Sequence, residues 1–173
     1  MTLNVEMLNK TFQRAKRENG GLTSLGMRFY ERLFEKYPAV KPLFHTAPEK
    51  QHKKLMASVA SIVASLSAPE KMLPFLRAMG IRHLKYQTQS AHYAAVGENL
   101  VAVLGEHLSK EGEWTPEMKQ CWDAALSTAA SVMIEAAENP EKFKDELIAN
   151  GYQPDGSKFN DSEPWNLLAG TPG

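Results

Sequence analysis

Apolar residues recur at three- and four-residue intervals along most of this chain, and prolines cut the recurrence into segments. Such spacing builds amphipathic helices, whereas a half-buried strand needs strict alternation, which is almost absent. Within residues 3–17, Leu3, Met7, Leu8, Phe12 and Ala15 share one side of a first helix, closed by Asn19-Gly20-Gly21. A second helix starts near Leu22 and carries Leu25, Met27, Phe29, Tyr30, Leu33 and Phe34; Gly26 inside it marks the close approach of another helix. Pro38 breaks this pattern, and residues 39–44 read as a short helical turn. Residues 49–66 form a long helix entered through Thr46, with Glu49 completing a capping box. Ser67 caps a segment over 69–86 that Pro74 is expected to break or kink. Residues 91–108 make the next helix. Thr115 caps and Pro116 opens the last long one, which runs through Trp122 to about Glu138. The expected class is all-α.

The remainder reads differently. Asn139-Pro140 starts a short helical stretch over 141–149, capped by Asn150-Gly151. Residues 152–173 are rich in Gly, Pro, Asp, Asn and Ser, with Phe159 and Trp165 as large apolar anchors. Two readings stand for them, a disordered tail or a strap fastened through Trp165. The expected division is a body over 1–138 and a C-terminal extension over 139–173, a short helix followed by an irregular tail. With 173 residues, 43% of them hydrophobic, one substantial core is within reach. Lys+Arg and Asp+Glu both total 20, so charge points neither to nucleic acid nor to an anionic membrane. Cys121 is the only cysteine, which excludes an internal disulfide and reads as a small packed residue. The N-terminus lacks the pattern of a secretory signal, and no run approaches the about 18 apolar residues of a membrane span. A cytoplasmic protein is expected. Glycine-rich phosphate loops, paired metal-binding cysteines and a serine nucleophile elbow are missing.

Chemical interest centres on residues 79–97, and within them on His83. Gly80 precedes an Arg82-His83 pair, and after a polar run His92-Tyr93 opens a new apolar helical pattern. A histidine so placed suits a buried metal ligand facing that pattern. It equally suits a helix C-terminus, where the dipole favours imidazole.

Five motifs in order resemble the globin family, and more closely the bacterial single-domain globins and the globin domain of flavohaemoglobins. Phe29-Tyr30-Glu31-Arg32-Leu33-Phe34, then Pro38 and Leu43-Phe44, are similar to the family's FYxxLF…P…LF pattern. Gln51 with Lys54-Leu55-Met56 follows, and then Arg82-His83. His92-Tyr93…Val96-Gly97-Glu98-Asn99-Leu100 resembles the HYxxVGxxL signature, and Trp122 in the final helix also fits. The likeness covers residues 3 to about 138. It implies a globin fold, a three-over-three helical sandwich with an extra C-terminal tail, holding haem b.

The resemblance makes His83 the proximal ligand of the haem iron, which needs a neutral imidazole nitrogen while the other ring nitrogen donates a hydrogen bond. Tyr30 and Gln51 are implied on the distal side, where a phenol and an amide can donate to dioxygen carrying partial negative charge. By residue type alone, Tyr30 also reads as a core tyrosine and Gln51 as a solvated residue of a first helical turn. His52 is a rival, since a one-residue shift would turn it about 100° towards the iron. His45 could approach the haem edge. Phe44 is implied to stack on the porphyrin, and Leu55 and Val96 to line its pocket. Lys54, Arg82, Lys85 and Tyr86 are candidates for the propionates. Tyr93 matches a tyrosine that, with a final-helix glutamate, polarises the proximal histidine in flavohaemoglobins. Here the glutamate position falls on Ala137, and Glu135 and Glu138 point elsewhere on the helix. The expected function is therefore reversible binding of dioxygen, or of NO or CO, at a five-coordinate iron. The alternatives are nitric oxide dioxygenation with electrons from an external reductase, since no flavin or nicotinamide domain is present, and haem-based gas sensing through the tail.

Overall fold

The computed structural model describes residues 4–43, 48–65, 68–84 and 90–157, with the backbone alone at Leu43, Pro48, Glu49, Gln51, Pro69 and Ser90. Every element among them is helical: α1 (Val5–Arg17), α2 (Gly21–Lys36), a 3-10 turn (Pro38–Leu43), α3 (Pro48–Ser65), α4 (Pro69–His83), α5 (Ser90–Ser109), α6 (Pro116–Glu138), a second 3-10 turn (Pro140–Phe143) and α7 (Lys144–Ala149). The architecture is an all-α helical sandwich with an extra C-terminal helix beyond the core.

Local chemistry explains most boundaries. The Asn4 side chain accepts from the Met7 amide at the start of α1, and Thr115 does the same for Met118 at the start of α6. Left-handed backbone at Asn19, Gly20 and Gly21 separates α1 from α2. Of the break or kink expected at Pro74, the break does not occur: α4 continues through it. Pro74 lies in the second turn, so the helix loses one backbone donor there, and burial of the proline ring against the core compensates. The N-cap of α4 is Ala68, which makes no side-chain cap bond. Ser67, the cap expected from sequence, lies outside the described residues, as do Thr46, Phe159 and Trp165.

Two buried clusters form the interior. In the larger, α1, α2, α3, α5 and α6 contribute Leu8, Phe12, Phe29, Leu33, Leu104 and Trp122, among others. Trp122 spends its indole N–H on Thr11 Oγ1, 2.7 Å away, so a polar group is satisfied inside this core. The close approach expected at Gly26 is present: a Cβ there would lie 3.3 Å from His52 Cβ of α3.

The second cluster joins α4 and α6 to the C-terminal residues through Leu76, Met79, Met133, Phe143, Leu147 and Tyr152. Helices α4 and α6 form the most extensive pair, and at their crossing a Cβ on Gly80 would lie 2.2 Å from the Met133 carbonyl oxygen. Only glycine lets these backbones meet. Residues after α7 fold back onto α4, burying Tyr152 and bringing Gly156 so close that a Cβ would sit 2.2 Å from the Ala78 carbonyl oxygen. Arg77 of α4 clasps Glu146 of α7 with bonds of 2.7 and 2.6 Å and covers the Phe143 ring at 4.3 Å. The described part of the C-terminal extension is thus strapped to α4, through Phe143, Leu147 and Tyr152.

Candidate functional site

An apolar cavity of about 110 Å³ lies between these helices. Helical periodicity builds its walls. From α3 come Leu55, Val59 and Ile62, from α5 Tyr93, Val96 and Leu100, and from α6 Leu126, Ala129 and Met133, each set spaced by three or four residues. Leu33 of α2 and Val40 of the first 3-10 turn complete one side. Ser58 is a tolerable polar member of the wall, because its hydroxyl donates to the Lys54 carbonyl at 2.9 Å.

Helix α4 contributes Met79 and, one turn later, His83. The His83 side chain is only 2% exposed, and its Nδ1 lies 2.6 Å from the Met79 carbonyl oxygen. A carbonyl can only accept, so the proton resides on Nδ1 and the lone pair on Nε2. Burial lowers the imidazole pKa from 6.5 to about 4; the Met79 bond opposes this shift and the nearby Arg82 charge adds to it. The ring is therefore neutral near pH 7. Tyr93 lies 6.3 Å from it between ring centres, and burial pushes its phenol up to about 12.

Four of the residues singled out in the sequence, His83, Leu55, Tyr93 and Val96, meet on this cavity. Tyr30 is buried one turn before Leu33, with ring centres 4.9 Å from Phe29, 5.7 Å from Phe34 and 5.5 Å from His52. Burial raises the pKa of its phenol. The rival His52 is thus the tyrosine's neighbour. Arg82 is buried, and Lys54 is half-buried with its ammonium pKa lowered by desolvation and, secondarily, by Lys50. Phe44, His45, Lys85, Tyr86 and the Gln51 side chain lie outside the described residues. Glu135 is exposed and pairs with Lys142 at 3.7 Å, and Glu138 is exposed as well. Sequence reasoning missed the wall from α6. Its spacing was visible, but Ala129 and Ala130 are too small to announce a ligand surface.

Among the described residues, no three or more His, Cys, Asp or Glu side chains gather where they could hold a metal ion. A metal beside His83 would need its remaining ligands from a prosthetic group. Neutral His83 on a largely apolar wall, which His92 also lines, fits a haem in donor type and surroundings.

The globin family profile matches residues 27–133, which include His83 and every residue lining the cavity. The flavohemoprotein of Pseudomonas putida is 31% identical over 132 residues, covering 75% of this chain and 33% of that protein. The flavohemoprotein of Rhodopirellula baltica is 29% identical over 110 residues, covering 62% of this chain and 26% of that protein. The chain therefore spans about a quarter to a third of the length of these relatives. An uncharacterized globin-like protein of Aquifex aeolicus is 30% identical over 112 residues, which are 65% of this chain and 78% of that one. A bacterial globin structure from Campylobacter jejuni shares the fold, with a TM-score of 0.67 at 20% identity over 80% of this chain and 96% of that one. By sequence profile and by fold, this chain belongs to the globin family.

Proposed function

We propose that the chain is a haem b protein that reversibly binds a diatomic gas, chiefly dioxygen. The observation that carries this reading is His83: buried, neutral, with its lone pair on Nε2, on the wall of an apolar cavity. A five-coordinate haem iron supplies an open position for a gas. The protein's part is to hold and orient. His83 serves as the iron ligand, and the Met79 carbonyl sets its tautomer and increases its basicity. Leu55, Val96 and Leu100 keep water out. Tyr30, kept protonated by burial, and Gln51 would donate to the gas, and Phe44 would pack on the porphyrin. Lys54, Arg82 and Tyr86 are assigned to the propionates.

Nitric oxide dioxygenation, fed by an external reductase, is the second reading, and the likeness to flavohemoproteins favours it. The site's own chemistry favours binding: the hydrogen bond at Nδ1 runs to a neutral carbonyl, while Glu135 is engaged by Lys142. No helix among the described residues is long and apolar enough to cross a membrane. Stopped-flow oxygen release tests the binding reading. Tyr30→Phe should speed dissociation by about tenfold or more, as loss of a buried donor to a partial charge does. A chain that takes up haem yet is oxidised by oxygen without a reversible adduct would contradict it.

A further inference from the structure

Helix α4 carries His83, yet among the described residues none of its buried side chains joins the larger cluster. It rests on α6 along one side and on residues 143–156 along another. That second support has a fixed shape. At the end of α7, where Gly151 has φ +86°, the Gly151 amide donates to the Ile148 carbonyl at 3.2 Å and the Tyr152 amide to the Leu147 carbonyl at 2.9 Å. This paired cap reverses the chain and returns Tyr152 to the buried cluster that holds Leu147, Leu76 and Met79. Residues 153–157 then close on themselves: Gln153 donates to the Ser157 carbonyl at 2.7 Å and Gly156 to the Gln153 carbonyl at 2.9 Å. The Asp155 carboxylate takes both the amide and the hydroxyl of Ser157, at 3.0 and 2.6 Å. The closed turn sets Gly156 against α4, where a Cβ would sit 2.2 Å from the Ala78 carbonyl oxygen and 2.9 Å from the Arg82 nitrogen. Those two atoms are the acceptor and donor of one helical turn. The next turn runs from Met79 to His83, whose carbonyl oxygen and Nδ1 lie 2.6 Å apart.

We infer that residues 143–156 are a positioning strap for His83, acting through Tyr152 and Gly156, and that docking of the strap is linked to the binding of haem at that histidine. The strap fixes the peptide planes of the last turns of α4, and with them the Met79 carbonyl that aims the ring. Met79 belongs to the strap's cluster and also lines the cavity. Movement of the strap therefore displaces the ring relative to the cavity without contact with the gas. Such linkage is reciprocal, and couplings between sites commonly amount to about 5- to 150-fold in affinity. The haem side rests on the function proposed above, whereas the hold on α4 is a property of the chain without haem.

Amide hydrogen exchange on the full chain without haem tests the hold on α4. Tyr152→Ala should speed exchange at the Arg82 and His83 amides by about fivefold or more, with α1 and α5 unchanged. Tyr152→Phe should restore the wild-type rates. Equal rates at Arg82 and His83 in the wild type and Tyr152→Ala overturn the proposal, as does faster exchange throughout the chain. If Tyr152→Ala does not fold, Arg77→Met, which removes the clasp on Glu146, takes its place with the same expected change. The second readout is the iron–His83 stretching band in resonance Raman spectra of the ferrous, haem-loaded chain. It should shift in Tyr152→Ala, return in Tyr152→Phe and stay in place in His107→Ala, whose void opens between α1, α2 and α5. A band unmoved by Tyr152→Ala, or moved as far by His107→Ala, overturns the positioning role. A chain that binds no haem refutes the proposed function and leaves hydrogen exchange to decide the strap.

Discussion

Two buried histidines each sit in the last turn of a helix, and only one of them lines a cavity. His107 closes α5 with no exposed surface; its Nε2 donates to the Ala15 carbonyl at 3.0 Å and its Nδ1 faces Arg28 Nη1 at 3.5 Å. Its partners come from α1 and α2, so the ring ties three helices together. His83 closes α4, and its Nδ1 bond runs to Met79 in the same helix. That ring is aimed by α4 itself, and the tertiary structure acts by holding α4 against α6 and the C-terminal strap. Burial and a helix end are common to both. What distinguishes a candidate ligand is the cavity wall and a hydrogen bond that leaves the lone pair on Nε2.

The contrast can be broken from either side. The largest effect is expected at His107, where His107→Ala opens a void and strands the Ala15 carbonyl. Denaturant unfolding should show a loss of about 4 kcal/mol, while haem taken up per folded chain stays constant. A loss of haem stoichiometry in the folded variant would erase the division of roles.

Acid tests His83 next. Its pKa is about 4 in the folded chain against 6.5 when unfolded. Below pH 6.5 the unfolded chain gains a proton that the folded chain refuses. The stability it contributes is thus fully present above pH 6.5 and is lost as pH falls towards about 4, amounting to about 3 kcal/mol. Urea melts of the haem-free chain between pH 7 and pH 4 should show this slope, and His83→Leu should flatten it. An equal slope in both would mean that His83 is not buried neutral.

The strap is worth less. Gly156→Ala sets a Cβ against the Ala78 carbonyl at a backbone φ of +88° and should cost about 2 kcal/mol. If α4 is aimed from behind, the same variant should lose haem faster than wild type. Unchanged haem loss would mean that α6 alone holds α4.

Much of the scaffold was legible because its determinants are local. Asn19-Gly20-Gly21, Thr115-Pro116 and the helical periodicity act over a few residues, and the helices stand where they predict. Pro74 does not break α4, because its cost is local while its burial is tertiary. A strap was one of the two readings of the tail, fastened through Trp165; its anchors at Tyr152 and Gly156 were illegible for a similar reason. Tyr152 and Gly156 sit in loop-like composition, and the need for glycine comes from Ala78, far away in sequence. The helix-end reading holds for both His83 and His107, and the His107 partners lie 92 and 79 residues away. No local pattern separates the two; the motifs that resemble the globins point to His83.

Whether His83 holds the iron is decided by a haem titration of the wild type and of His83→Ala, read by ferrous absorption. The wild type should take up haem stoichiometrically with a five-coordinate ferrous spectrum, and His83→Ala should lose that uptake or that spectrum while retaining its helical circular dichroism. The same stoichiometry and the same spectrum in His83→Ala would contradict that assignment.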